Sequence, residues 1–139
     1  MALTIQQQFK AQQYIQSWAN QEFDWGTADC NQFFIGFHDA VYGTRDLPRV
    51  QNQYASRSSA RQFLKNLGLT SRQWLTMRGY KPLESLEFEN GDVVIHDHKF
   101  FSTVFVYWQG VFVSCLEEVN FAGYTPEAVT SRSYTAWRK

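Results

Sequence analysis

Residues 23–42, which read FDWGTADCNQFFIGFHDAVY, decide the fold that this sequence predicts. The stretch from residue 30 to residue 42 is apolar at the spacing of a mostly buried helix, and Gly43 follows it as a C-terminal cap. Asp29 stands directly before this helix and can cap its N-terminus. Gly26 gives the irregular segment before the cap its conformational freedom. The sequence therefore predicts a loop that leads into a capped, buried helix.

This helix places a cysteine, Cys30, in its first turn. The partial positive charge of a helix N-terminus favours the thiolate, which lowers the thiol pKa from its free value of about 8.5. A cysteine at the start of a buried helix is also often only a small apolar core residue. Cys30 is thus a candidate nucleophile, active or relic, and the core interpretation stays open beside it.

In the rest of the chain, the predicted secondary structure changes from helices to strands at Pro82. Before it, helical spacing predicts an amphipathic helix over 4–20, a helix over 58–67 closed by Gly68, and a helical turn over 70–77. After it, β-rich runs at 93–96, 103–108, 111–116 and 134–138 are joined by tight turns. Helices followed by strands predict an α+β fold, with the helices packed on one face of a C-terminal antiparallel sheet. The apolar residues of the first helix are Ile5, Phe9, Tyr14, Ile15 and Trp18.

Length, net charge and cysteine spacing limit the classes of protein to which this chain can belong. The length of 139 residues, without repeats or linkers, predicts one domain over 1–139. Thirteen basic and thirteen acidic residues give zero formal charge, so we expect no nucleic-acid partner. We also expect no signal peptide and no membrane insertion, because no apolar run approaches the ~20 residues of a span. Cys30 and Cys115 lack metal-ligand spacing, and neither a metal nor a cofactor is predicted.

Several motifs taken together resemble the NlpC-type papain-like cysteine peptidases. In that family an aromatic-Gly segment leads to Asp-Cys and an apolar helix, and a Gly-Asp-hydrophobic strand and a hairpin follow. The closing residues 136–138 resemble a group of uncharacterised phage tail proteins built on this fold. The resemblance covers about residues 10–138 and implies a papain-like, NlpC-like fold with Cys30 at the nucleophile position. The matching positions include Trp25, Gly26, Asp29, Cys30, Gly91, Asp92 and the strand that begins near Thr103.

The chain departs from the active family at the positions of the catalytic histidine and of the residue that orients it. There the catalytic histidine opens the strand after the Gly-Asp-hydrophobic strand, and that position falls on Thr103, beside Ser102. Neither side chain can act as a general base near neutral pH. The third polar residue, which orients the histidine, also has no clear counterpart. Whether the chain is an enzyme stays open, and the sequence favours an inactive site.

Two nearby histidines keep the enzymatic alternative open. Strand alternation places Val94, His96 and His98 on one face. His98 is the alternative base if the strand is displaced or the hairpin register shifts. Otherwise we expect His96 and His98 to be solvated residues at a turn.

The other chemically notable side chains have structural interpretations. His38 is expected to be a packed or capping residue and Cys115 a core thiol. We expect Trp18, Trp25 and Trp137 to lie in the core or to line a groove.

Three functions follow from the resemblance. The first is a minor structural component of a bacteriophage virion, in the tail or tail hub, made in the host bacterial cytoplasm and bound to other virion proteins. The second is an active peptidase or amidase that degrades peptidoglycan during genome entry, with Cys30 attacking and His98 moving the proton. The third is an assembly factor that helps to build the tail and then leaves it.

Overall fold

The structure, a computed structural model, describes residues 2–97 and 102–139. Within these residues five helices precede all the strands, and a sixth lies between the last two strands in sequence. The helices are α1 Ile5–Ser17, α2 Cys30–Tyr42, α3 Leu47–Val50, α4 Arg57–Leu67, α5 Ser71–Met77 and α6 Pro126–Thr130. The strands are β1 Lys81–Leu83, β2 Val93–Asp97, β3 Ser102–Trp108, β4 Val111–Leu116, β5 Asn120–Tyr124 and β6 Thr135–Arg138.

The strands form one antiparallel sheet in the order β1-β6-β2-β3-β4-β5. The predicted α+β class is therefore confirmed, and the four predicted strands lie within one residue of their expected bounds. The turn between β3 and β4 has positive φ at both Gln109 and Gly110, as a two-residue type I′ hairpin requires. Strands β1 and β5 and helices α3 and α6 were not predicted, because each is short and carries little periodicity.

Two apolar clusters cover the two faces of this sheet. The larger cluster lies beneath α2, whose Phe33 and Phe37 are fully buried against alternate residues of β2 and β3 such as Val93 and Val104. The smaller cluster lies on the opposite face, around Val94, Phe105 and Val129. Because Val129 belongs to α6, the prediction that all helices pack on one face is wrong for that helix.

The first helix is shorter than predicted and is only partly amphipathic. Tyr14, Ile15 and Trp18 pack against the larger cluster, whereas Ile5 and Phe9 are 85% and 67% exposed. The expectation that these two side chains belong to the apolar face that packs on the core is wrong. Within the described ranges, none of the helices is long and apolar enough to cross a membrane.

Candidate functional site

Asp29 organises the loop that leads into α2. Its carboxylate accepts hydrogen bonds from the backbone N–H groups of Gln32 at 2.9 Å and Gly26 at 3.0 Å, and from the Tyr54 hydroxyl at 2.8 Å. The predicted N-cap is confirmed, since Asp29 is extended and α2 begins at Cys30. Burial raises the pKa of the Asp29 carboxyl, and its hydrogen bonds act in the opposite direction.

The backbone conformation and packing of this loop require a glycine at position 26. Its φ is +88°, and an added Cβ would lie 1.9 Å from the carbonyl oxygen of Tyr54. Any other residue would therefore have to displace the Tyr54 backbone, which also positions the hydroxyl bound to Asp29. The Trp25-Gly26 and Asp29-Cys30 motifs thus act together as one structural unit.

Cys30 lies against β3 at the position that the sequence identified. Its Sγ is 3.9 Å from the carbonyl oxygen of Ser102, and the backbone N–H of Val104 also interacts with it. Ser102 and Val104 are the two neighbours of Thr103. The cysteine therefore contacts the strand on either side of Thr103, the position at which the resemblance led us to expect a histidine.

A gap between β3 and β4 creates the space around this cysteine. In the part of the chain that the structure describes, the two strands pair from Val106 with Val113 to Trp108 with Val111. Among the described residues the β3–β4 ladder ends there, and the Ser114 hydroxyl donates to the Val104 carbonyl oxygen at 2.7 Å. The other edge of β4 pairs with β5 from Phe112 to Leu116. A cavity of about 520 Å³ lies here, lined by Cys30, Thr103, Cys115 and Leu116 among others. We call it the cysteine cavity.

The surroundings of Cys30 disfavour its thiolate form. Cys30 is only 7% exposed, and burial, followed by the negative charge of Asp29, raises its pKa to about 12. The expectation of a lowered pKa is wrong, although a hydrogen bond from the backbone of Asn31, in the first turn of α2, does act in the lowering direction. The partial charge of the helix end is opposed by desolvation and by a full carboxylate in the adjacent residue.

His96 is brought into the same cavity. It is 7% exposed, it lies opposite Thr103 in the β2–β3 register, and it lines the cysteine cavity. Its Nε2 is 2.7 Å from the carbonyl oxygen of Val129, and its ring lies 4.8 Å from that of Phe105. The expectation of a solvated His96 is wrong, because α6 covers this end of β2. His98, the predicted alternative base, lies outside the described residues.

The Gly-Asp motif links the start of β2 to the end of the neighbouring strand β6. Asp92 is 2% exposed and accepts hydrogen bonds from the Glu89 amide and from Nε and Nη2 of Arg138, the latter at 2.9 and 2.8 Å. Gly91 has a φ of +94°, which suits the turn before β2. The motif near residue 91 and the closing residues 136–138 are therefore linked by a partly buried ion pair.

The remaining predicted side chains occupy the places expected of them. His38 is fully buried, with Nδ1 2.9 Å from the Tyr80 hydroxyl, and Cys115 is fully buried with Sγ 3.2 Å from the Ala28 carbonyl oxygen. Trp18 and Trp137 pack in the core, and Trp25 lines the cysteine cavity. Residues 2–97 and 102–139 contain no cluster of three or more His, Cys, Asp or Glu side chains that could hold a metal ion.

The rim of the cysteine cavity combines aromatic and cationic side chains. Phe23 and Trp25 form an edge-to-face pair with ring centroids 4.9 Å apart, and the cavity is also lined by Arg57, Arg61 and Arg132. Sequence reasoning did not single out these arginines, because they are spread over 75 positions and belong to no motif. Glu117 binds Trp25 through Nε1 at 2.8 Å and Arg57 at 2.6 Å.

The fold and this site define an α+β domain in which a buried cysteine begins the central helix and faces an antiparallel sheet. The chain belongs to the family described as a domain of unknown function, DUF6950, whose model matches residues 5–138. No curated protein matches the chain.

Proposed function

We propose that this chain is a catalytically inactive papain-like domain of the NlpC type that serves as a structural component of a bacteriophage tail or tail hub. The observation that carries the inactive assignment is the environment of Cys30. Its thiol contacts the Ser102 carbonyl oxygen, shares the cysteine cavity with Thr103 and has a pKa of about 12, so it is protonated near neutral pH. A cysteine nucleophile attacks as the thiolate and needs a neighbouring base or a lowered pKa.

The papain-like assignment is supported by the arrangement of elements and motifs together. A helix with cysteine in its first turn packs across an antiparallel sheet, and the strand nearest the sulfur is the one that carries the histidine in the active family. The virion assignment rests on the resemblance of the closing residues to phage tail proteins. A fold can be retained after its catalytic activity is lost, so we expect the surface of an inactive member to serve another function, such as protein binding.

The rim of the cysteine cavity supplies a surface suited to docking. Trp and Arg are enriched at the energetically dominant positions of protein interfaces, and Trp25 stands here beside three arginines. On this account the former substrate groove receives a segment of a neighbouring tail protein. Possible contacts with peptidoglycan belong to the alternative function.

Purified particles of the encoding phage provide the experiment. We expect the protein in washed particles by mass spectrometry, and we expect Cys30→Ala to leave both its incorporation and infectivity unchanged. The double variant Arg61→Glu with Arg132→Glu should reduce incorporation by reversing charge at the rim. Arg45→Glu with Lys65→Glu, at two exposed positions outside the cavity, is the charge-matched control.

Two outcomes would overturn this proposal. A protein that is needed for assembly but missing from finished particles would be an assembly factor. Well-assembled Cys30→Ala particles that have lost infectivity would show that the thiol acts after assembly, as a peptidase would.

A specific observation favours the peptidase or amidase as the second candidate. His96 is buried in the cysteine cavity, and the Val129 carbonyl can only accept, so Nε2 carries the hydrogen of this bond. That bond fixes the ring, as an orienting group does for a catalytic histidine. In this alternative His96 takes the role that the sequence assigned to His98, and His96→Gln should abolish cleavage of stem peptides of peptidoglycan.

A further inference from the structure

A second cavity lies among the helices, next to α2 but outside the cysteine cavity. Its volume is about 200 Å³, and α2, α3, α4 and α5 enclose it together with β2 and β3. Most of its wall is apolar and includes Phe34, Ile35, Val50, Phe63, Leu64 and Trp74. We call it the helical cavity.

Gln32 lines the helical cavity and contributes an unusual polar atom. The residue is 1% exposed, and its Nε2 donates to the Val50 carbonyl at 2.9 Å and to the Tyr54 hydroxyl at 3.2 Å. A carbonyl oxygen can only accept, so the atom beside Val50 must be the amide nitrogen. The orientation of the Gln32 amide is therefore fixed, and its oxygen is the atom left on the other side.

That oxygen lacks a donor. Among the described residues, Oε1 of Gln32 has no hydrogen-bond partner although it is buried. Buried polar groups are nearly always paired, and an exception calls for a ligand, a water or a function. The Tyr54 hydroxyl cannot supply the missing hydrogen, because it donates to Asp29.

The size of the helical cavity limits what can enter it. An apolar cavity of roughly 150 Å³ accommodates one benzene molecule, so about 200 Å³ fits a single ring with a small substituent. Leu67 and Met77 also line the cavity and are 48% and 64% exposed, which gives the cavity an apolar entrance.

We propose that the helical cavity binds a small aromatic or branched aliphatic molecule bearing one hydroxyl or N–H donor, which bonds to Oε1 of Gln32. The apolar wall contacts the hydrocarbon part, and the single unpaired acceptor selects for the donor. This site does not involve Cys30 or the docking rim. A negative result for this site would therefore leave the proposed function unaffected, and the reverse also holds.

Calorimetric titration of the whole chain with phenol, toluene and anisole tests the site. The three probes have one ring each, and phenol alone carries a donor. We expect phenol to bind at least as tightly as toluene, although desolvation of its hydroxyl disfavours transfer into an apolar cavity. Anisole, whose oxygen can only accept, should bind about fivefold or more weakly than phenol, as the loss of one hydrogen bond implies.

Two variants locate the binding. Leu64→Phe fills part of the helical cavity and should weaken phenol binding about tenfold or more. Leu86→Phe is the matched control, because Leu86 is 75% exposed and does not line the cavity. Binding of toluene without phenol would overturn the role of Gln32. No binding of any probe, or equal phenol affinity in the folded Leu64→Phe protein, would overturn the site; the probe series decides the matter in the native protein if that variant fails to fold.

Discussion

Thr103 pairs with His96 across the β2–β3 register, and both residues line the cavity that contains Cys30. Cys30 therefore lies next to the strand on which the resemblance to NlpC-type peptidases places the catalytic histidine, and the imidazole in this cavity belongs to the neighbouring strand β2. His96 is held there by the Val129 carbonyl, and the thiol stays protonated.

A histidine introduced at residue 103 should lower the pKa of the Cys30 thiol and so make the thiol more reactive. In Thr103→His, an imidazolium beside Cys30 would lower the thiol pKa by about one unit or more, which raises the thiolate fraction at pH 7 by about tenfold. The rate of alkylation by iodoacetamide measures this change. Thr135→His is the matched control, because Thr135 is a half-buried strand threonine that does not line the cysteine cavity. An equal effect of the two variants would contradict the assignment of Thr103 to the base position.

The ion pair between Asp92 and Arg138 should be a major contributor to stability. Arg138→Ala leaves the buried Asp92 carboxylate without its two charge-assisted bonds, so we expect a loss of about 2–3 kcal/mol in the free energy of unfolding. Urea denaturation followed by circular dichroism measures it. Arg72→Ala removes a pair with Asp97 in which both side chains are 49% exposed, and it should cost less than about 1 kcal/mol. Similar losses in the two variants would contradict this account.

Acidification should destabilise the fold through His38. Burial, with a smaller effect of Lys139, lowers the pKa of His38 from 6.5 to about 4. The folded state therefore disfavours protonation, and the contribution of His38 is complete above pH 6.5 and is lost as pH falls toward 4. The linked loss amounts to about 3 kcal/mol.

The pH dependence of unfolding in His38→Gln provides the comparison for that prediction. Subtracting its profile from that of the native protein removes the pH dependence that the two proteins share. The difference should decline between pH 6.5 and 4. A flat difference over this interval would show that His38 titrates alike in the folded and unfolded chain.

Local signals in the sequence were sufficient to predict α2 and the main hairpin. Asp29 and Gly43 cap α2 at the predicted residues, and both of these positions have strong intrinsic preferences. The turn at Gln109 and Gly110 fixes the β3–β4 register in the same local way.

The burial of His96 and the pKa of Cys30 depend on tertiary packing, which local sequence patterns do not reveal. His96 is buried because α6, more than 25 residues later, covers its face of the sheet. The pKa of Cys30 is set by its depth under β3 and by the charge of Asp29, and these oppose the helix end from which a low pKa was predicted. Ile5 and Phe9 follow helical periodicity, yet the part of α1 that packs against α2 begins later, near Ala11.

The pH dependence of Cys30 carboxymethylation, measured in a Cys115→Ala protein from pH 6 to 10, tests the central claim most directly. With a thiol pKa of about 12, the rate should rise steadily, about tenfold per pH unit, without reaching a plateau in this range. A plateau reached between pH 6 and 8, and abolished by His96→Gln, would contradict the inactive assignment and identify a working cysteine–histidine pair.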